Sequence, residues 1–198
     1  MNGKALTFGN RSQLYKLNMT WWDHETESVW TQLLGEALIG PLAGTRLEQL
    51  PAFTGPWESW RQEHPDTLVL KVEDESYAAE QPKDEFVVGV AVGEAGAAFY
   101  YLPLAAAGAV NERVGDVPIV VVAVADTRVI RTFSRLVGDQ ELTFRLAGGL
   151  LIDEETGTTW DPFTGAAHAG PLAGERLAQV SHTLSFDWAW QIFYPDST

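Results

Sequence analysis

One stretch of this chain occurs twice. Asp23-His24-Glu25-Thr26-Glu27-Ser28-Val29-Trp30 runs on to Gly40-Pro41-Leu42-Ala43-Gly44-Thr45-Arg46-Leu47. Asp153-Glu154-Glu155-Thr156-Gly157-Thr158-Thr159-Trp160 runs on to Gly170-Pro171-Leu172-Ala173-Gly174-Glu175-Arg176-Leu177. The offset of 130 holds without a gap from Asp23 to Asp66, and 17 of these 44 positions are identical. Such self-similarity restricts the chain to folds in which one supersecondary unit is used twice. The organisation expected is a first repeat over 1–72, an acidic linker over 73–85 and a second repeat over 86–198, both repeats sharing one core.

Local chemistry gives each repeat the same elements. Asp153 to Gly157 reads as a turn: Asp and Thr bond turn amides, and Gly supplies positive φ. Trp160 opens the return strand, and Trp30 does so in the first copy. Upstream, Leu6-Thr7-Phe8-Gly9 matches Leu142-Thr143-Phe144 and reads as a short strand. Six extra residues in the first copy then precede a strand over 13–22. Arg46 to Leu50 reads as a further short strand. A helix follows Pro56, with Trp57, Trp60 and His64 on one face and Pro65 as its stop. Its second-copy counterpart has Ser185 as cap, Phe186, Trp190 and Phe193 on one face and Pro195 as stop. Both aromatic faces are expected to pack on a sheet. Val120 to Val124 is apolar without alternation, which predicts a strand buried on both faces. The fold class expected is mainly β: an internally duplicated antiparallel sheet, barrel-like, with one short helix closing each repeat.

Composition removes several functions. A net charge of -14 excludes nucleic acid, whose phosphates demand clustered Lys and Arg. With no cysteine, disulfides and thiolate chemistry are absent. The apolar run Val117 to Ala125 is too short to span a bilayer. A surface rich in Asp and Glu and poor in Lys suits high salt, where repulsion between carboxylates is screened; an ordinary acidic protein fits equally. Nothing after Met1 reads as a signal peptide.

At this point the residues carry a resemblance. Leu6 to Gly9, Asp23, Thr26, Ser28, Trp30, Gln32, Gly35 to Ala37, Gly40 to Gly44, Leu47, Trp57, Trp60, His64 and Pro65 form one ordered pattern. Val88-Gly89-Val90, Tyr101 to Leu104 and Val110 to Pro118 continue it. The pattern resembles the uncharacterised prokaryotic family catalogued as domain of unknown function 3179. That resemblance implies an extracytoplasmic setting and no assigned reaction. Family members carry a Cys-Pro-Leu-Cys strand before the first Leu-Thr-Phe. Here the second-copy equivalent, Val121 to Asp126, has no cysteine, so no cysteine-based role carries over.

The copies differ where chemistry would show. Glu27 stands for Gly157, Gln32 for Pro162 and Glu36 for Ala166. Asp23, Glu25, Ser28, Gln32 and Glu36 are therefore the candidate ligand or metal residues, with a divalent cation such as calcium as the cofactor an oxygen-rich set would take. A solvated acidic hairpin is the alternative. Trp30, Trp160, Asp153, Thr156 and Gly157 are the structural repeat residues. The leading function is a non-catalytic binding or structural module; the alternative is a metal-assisted hydrolase centred on the first acidic cluster. Nothing before Met1 matches Phe86 to Arg135. The first repeat thus needs shared strands, a partner chain such as a homo-oligomer, or a missing N-terminal segment.

Overall fold

The computed structural model describes residues 3–52, 55–69, 86–125 and 129–197. The 73–85 linker lies outside them. The first sheet contains β1 (Phe8–Tyr15), β2 (Asn18–Asp23), β3 (Val29–Thr31) and β4 (Ala37–Ile39), antiparallel and in chain order. Helix α1 (Trp57–Glu63) follows. Then come β5 (Phe86–Val92), β6 (Ala95–Tyr100), α2 (Tyr101–Ala107), β7 (Ala109–Val114), β8 (Val117–Val124), β9 (Val129–Ser134), β10 (Leu136–Val137) and β11 (Gln140–Glu141). The chain continues with β12 (Phe144–Ala147), β13 (Leu150–Asp153), β14 (Thr159–Trp160), β15 (Ala167–Ala169), β16 (Thr183–Phe186) and α3 (Asp187–Gln191). The protein is mainly β, and its sheets stay open among the described residues rather than closing into a barrel.

Strand β8 organises the stack. Its Ile119, Val121 and Ala123 pack with Val88, Val90, Leu104 and Ile130, joining the β7–β8–β9 sheet to the β16–β5–β6 sheet and α2. Its Val120 and Val122 point the other way, to Phe133, Phe144, Leu151 and Trp160, joining the same sheet to β12–β15. A strand without a polar face needs this double cover, and each buried Val or Ile contributes about 1.5–3 kcal/mol.

The two four-stranded sheets are built in the same register. Phe8 lies opposite Asp23 and Trp21 opposite Trp30; Phe144 lies opposite Asp153 and Leu151 opposite Trp160. The six extra residues lengthen the β1–β2 hairpin. The strand expected over 6–9 runs on to Tyr15, and the strand expected over 13–22 is broken by a turn at Lys16 and Leu17, with φ of 48° and 61°. Two successive left-handed residues match a hairpin's twist. Lys-Leu carries none of the Asn-Gly chemistry that announces such a turn, which is why the sequence hides it. The strand expected over 46–50 reduces to a single bridge between Glu36 and Arg46.

The helices diverge from expectation. Ser185 lies in β16, and α3 starts two residues later with Phe186 at its N-cap. Trp190 is buried, its ring lying flat over Gly89 of β5, while Tyr194 covers Gly96. By contrast α1 buries none of its residues, and Trp57 is 49% exposed. Among the described residues, the sheet that receives α3 has no counterpart under α1. The first sheet leans instead on the far end of the chain. Tyr15 meets Phe193 at 6.3 Å, and the Ser181 hydroxyl donates to the Gln49 carbonyl at 2.9 Å.

A Cβ at residue 89 would sit 2.3 Å from the Trp190 ring. Gly89→Ala should therefore destabilise by about 1–3 kcal/mol through overpacking and red-shift Trp190 emission. A denaturant midpoint equal to wild type would contradict this packing.

Candidate functional site

The repeated motif folds into a buried hydrogen-bonded knot. Oδ1 of Asp153 accepts from the Thr156 amide at 2.6 Å and its hydroxyl at 2.7 Å, and Oδ2 accepts from Trp160 Nε1 at 2.9 Å. The Thr156 and Thr158 hydroxyls meet at 2.7 Å, and Thr158 Oγ1 accepts from the Leu172 amide at 3.2 Å. Asp23 repeats this with the Thr26 amide at 2.6 Å, the Thr26 hydroxyl at 2.9 Å and Trp30 Nε1 at 2.8 Å. Ser28 takes the place of Thr158, 2.7 Å from Thr26 and accepting from the Leu42 amide at 3.1 Å. Burial alone would push both aspartates up; the indole and threonine donors outweigh it and hold both carboxyls below their ordinary value.

The structure thus places Asp23 and Ser28 side by side with their polar atoms committed inward. Glu25 accepts the Thr7 amide at 2.8 Å, and that bond lowers its carboxyl despite some burial. Glu155 does the same for Thr143 at 2.8 Å. Gln32 is exposed, and Glu36 pairs with Arg46 at 3.0 Å. A calcium ion takes six to eight oxygen ligands, whereas Asp23, Glu25, Ser28 and Glu36 are each hydrogen-bonded to donors of the protein. Among the described residues no three His, Asp or Glu side chains are grouped to hold a metal.

A different set of residues lines a cavity of about 500 Å³ between α1 and β9: Pro51, Ala52, Trp60, Glu63, His64, Arg131 and Gln179. Strand β9 supplies Arg131, which is 4% exposed, and holds Gln179 in place through the Phe133–Gln179 bridge. The guanidinium lies 4.6 Å over the Phe163 ring and 4.0 Å from Glu63. Burial lowers the pKa of Arg131, against the pull of Glu63 and Asp161. At the end of α1, Glu63 also meets His64 at 3.9 Å and Arg176 at 3.5 Å, and its buried Oε2 has no hydrogen-bond partner among the described residues. The Trp60 ring packs on His64 in a tilted contact, centroids 4.1 Å apart, and its indole donates to Thr67 Oγ1 at 3.0 Å. One clue to this site was legible: an arginine inside the apolar run Val129 to Phe133, a position that a charge occupies only when something answers it. His182, bonded to Thr132 at 3.3 Å, is held at about 4 by burial and then by the charge of Arg131.

A family model described as "Protein of unknown function (DUF3179)" matches the chain over residues 1–80 and again over 75–197. No curated protein and no solved structure matches.

Two outcomes follow from the geometry. Gly157 has φ of 71° and Glu27 keeps the same turn with φ of 59°. Gly157→Ala should cost on the order of 1 kcal/mol, the left-handed penalty for a side chain. Glu27→Gly removes about 1–2 kcal/mol of that strain and gives back about 0.5–1 kcal/mol in chain entropy, so it should stabilise slightly. Denaturant melts check both, and a neutral Gly157→Ala would contradict the shared turn. His182 titrates lower in the folded than in the unfolded chain, where its pKa is 6.5. Its contribution to stability is complete above pH 6.5 and is lost as pH falls through about 4. Melts from pH 7 to 4 should show that decline; a flat profile would contradict the burial of His182.

Proposed function

The chain belongs to the DUF3179 family, and we propose that it is a non-catalytic binding module built from two copies of one unit. The matched registers, the twin Asp–Trp knots and the double match to the family model support the duplication, with repeats over 1–72 and 86–198. The binding site is the cavity between α1 and β9. One observation carries this reading: the buried Oε2 of Glu63 lies at the wall of a cavity of about 500 Å³ with no hydrogen-bond partner among the described residues. Holding such an oxygen at a cavity wall costs desolvation energy that a polar ligand would offset. Trp60 and His64 supply an aromatic wall beside it.

The reading is non-catalytic because none of the described residues lining the cavity carries a hydroxyl or thiol that a base could activate. Thr67, close by, accepts from the Trp60 indole. The ligand expected is compact and polar, with hydrogen-bond donors for Glu63.

The test is a titration of the whole chain with glycine, acetate, inorganic phosphate and glucose, followed by NMR at the Trp60 indole and the Gln179 amide. At least one probe should shift both signals saturably, and Glu63→Gln should weaken it. If none of the four perturbs Trp60 or Gln179, the cavity is not a binding site of this kind.

A further inference from the structure

The second unit shows what should cover the first. In the second unit, the face of β12–β15 bearing Phe144, Leu151 and Trp160 is buried by the β7–β8–β9 sheet through Val120, Val122 and Phe133. The closing contact is polar. Asn111 of β7 accepts from the Phe144 amide at 2.8 Å and donates to the Phe144 carbonyl at 2.7 Å. An outward-facing strand residue is thereby satisfied by one side-chain amide.

The first unit has the same face, and no such cover is present among the described residues. Phe8 corresponds to Phe144 by its place opposite Asp23, yet it is 36% exposed against 2% for Phe144. Its ring contacts Trp21 at 6.1 Å and Trp30 at 5.6 Å, and Trp21 is only half-buried where Leu151 is fully buried. The longer hairpin adds Leu14 and Met19, paired across β1 and β2 and both exposed. Thr7 bonds His24 and Glu25 as Thr143 bonds Glu154 and Glu155, so the Phe8 amide and carbonyl point outward like those of Phe144. Among the described residues no side-chain amide takes the place of Asn111. Edge pairing with a foreign strand is disfavoured by the bulge between Asn10 and Leu14, where Ser12 has φ of 56°. The face itself is the docking element.

Charge narrows the occupant. Residues 1–22 hold Lys4, Arg11 and Lys16 and no carboxylate, whereas the rest of the chain has ten basic against 27 acidic residues. A second copy cannot supply the amide, because its own Asn111 is already engaged by its Phe144 backbone. We propose that the Phe8–Trp21 face docks a valine-rich antiparallel β-hairpin of another polypeptide, like β7–β8, with an asparagine in the role of Asn111 and a carboxylate-bearing rim. In this reading, the apolar side chains of the hairpin cover Phe8, Trp21, Leu14 and Met19, and its amide closes on the Phe8 backbone.

The test uses the full chain and a synthetic peptide of residues 109–124, whose Glu112 and Asp116 supply the acidic rim. Titration should shift the Phe8 amide and the Trp21 indole saturably. The apparent affinity should fall at least tenfold with Asn111→Ala in the peptide or Phe8→Ala in the chain. In the free chain the Phe8 amide should exchange with deuterium at least a hundredfold faster than the Phe144 amide. No shift, or a shift indifferent to both substitutions, overturns the proposal. So does equal protection of the two amides in dilute protein, which would mean the face is already closed. Self-association that broadens the same signals without peptide would assign the face to a second copy. Shifts induced instead by phosphatidylglycerol vesicles would assign it to a membrane surface.

Discussion

A carboxylate buried in a β-sheet has to be answered by donors at fixed positions, and Asp153 and Asp23 impose that demand twice. Each carboxylate receives an amide and a hydroxyl three residues on and an indole N–H seven residues on. Those spacings fix the turn, force the tryptophan onto the neighbouring strand, and bury its ring at the centre of the sheet. The same knot reaches further along the chain. The hydroxyl at Ser28 or Thr158 holds the Leu42 or Leu172 amide, pressing the intervening segment close. A Cβ at residue 40 or 170 would lie 2.7 or 2.6 Å from the Cα of Ser28 or Thr158, which is why glycine recurs there. The repeated acidic motif is therefore a structural device whose aspartates are consumed internally.

Elsewhere, the layers built around β8 leave a gap. Strand β8 is apolar on both faces, so one sheet must carry two cores. Strand β9, beside it, inherits a position that neither core fills with apolar atoms, and Arg131 stands there. Helix α1 reaches this spot from the first unit but finds no floor like the one Gly89 and Gly96 give α3. The result is a polar cavity walled by Trp60, Glu63 and His64.

Legibility followed the range of the interactions. Local turn chemistry announced the Asp153–Gly157 turn, and the unbroken apolar run announced β8. The Lys16–Leu17 turn was hidden because its residues carry no turn preference. Trp57 and Trp60 misled because helical spacing says which residues share a face, and not whether a sheet exists to receive it. Asp23, Glu25 and Glu36 looked like one cluster in the sequence. The two glutamates each have a partner elsewhere in the chain: Thr7 for Glu25 and Arg46 for Glu36. Arg131 and Glu63 are 68 residues apart in sequence and meet only through the stacking of layers.

The account rests on two ionised aspartates, each held by an indole. The direct measurement is a carbon-13 NMR titration of the side-chain carboxyls of Asp23 and Asp153, read together with the indole protons of Trp30 and Trp160. Both carboxyls should titrate below the ordinary aspartate value of 3.8, and both indole signals should move with them. Carboxyl midpoints at or above 3.8, or indole protons indifferent to carboxyl ionisation, would contradict the knot on which both units are built.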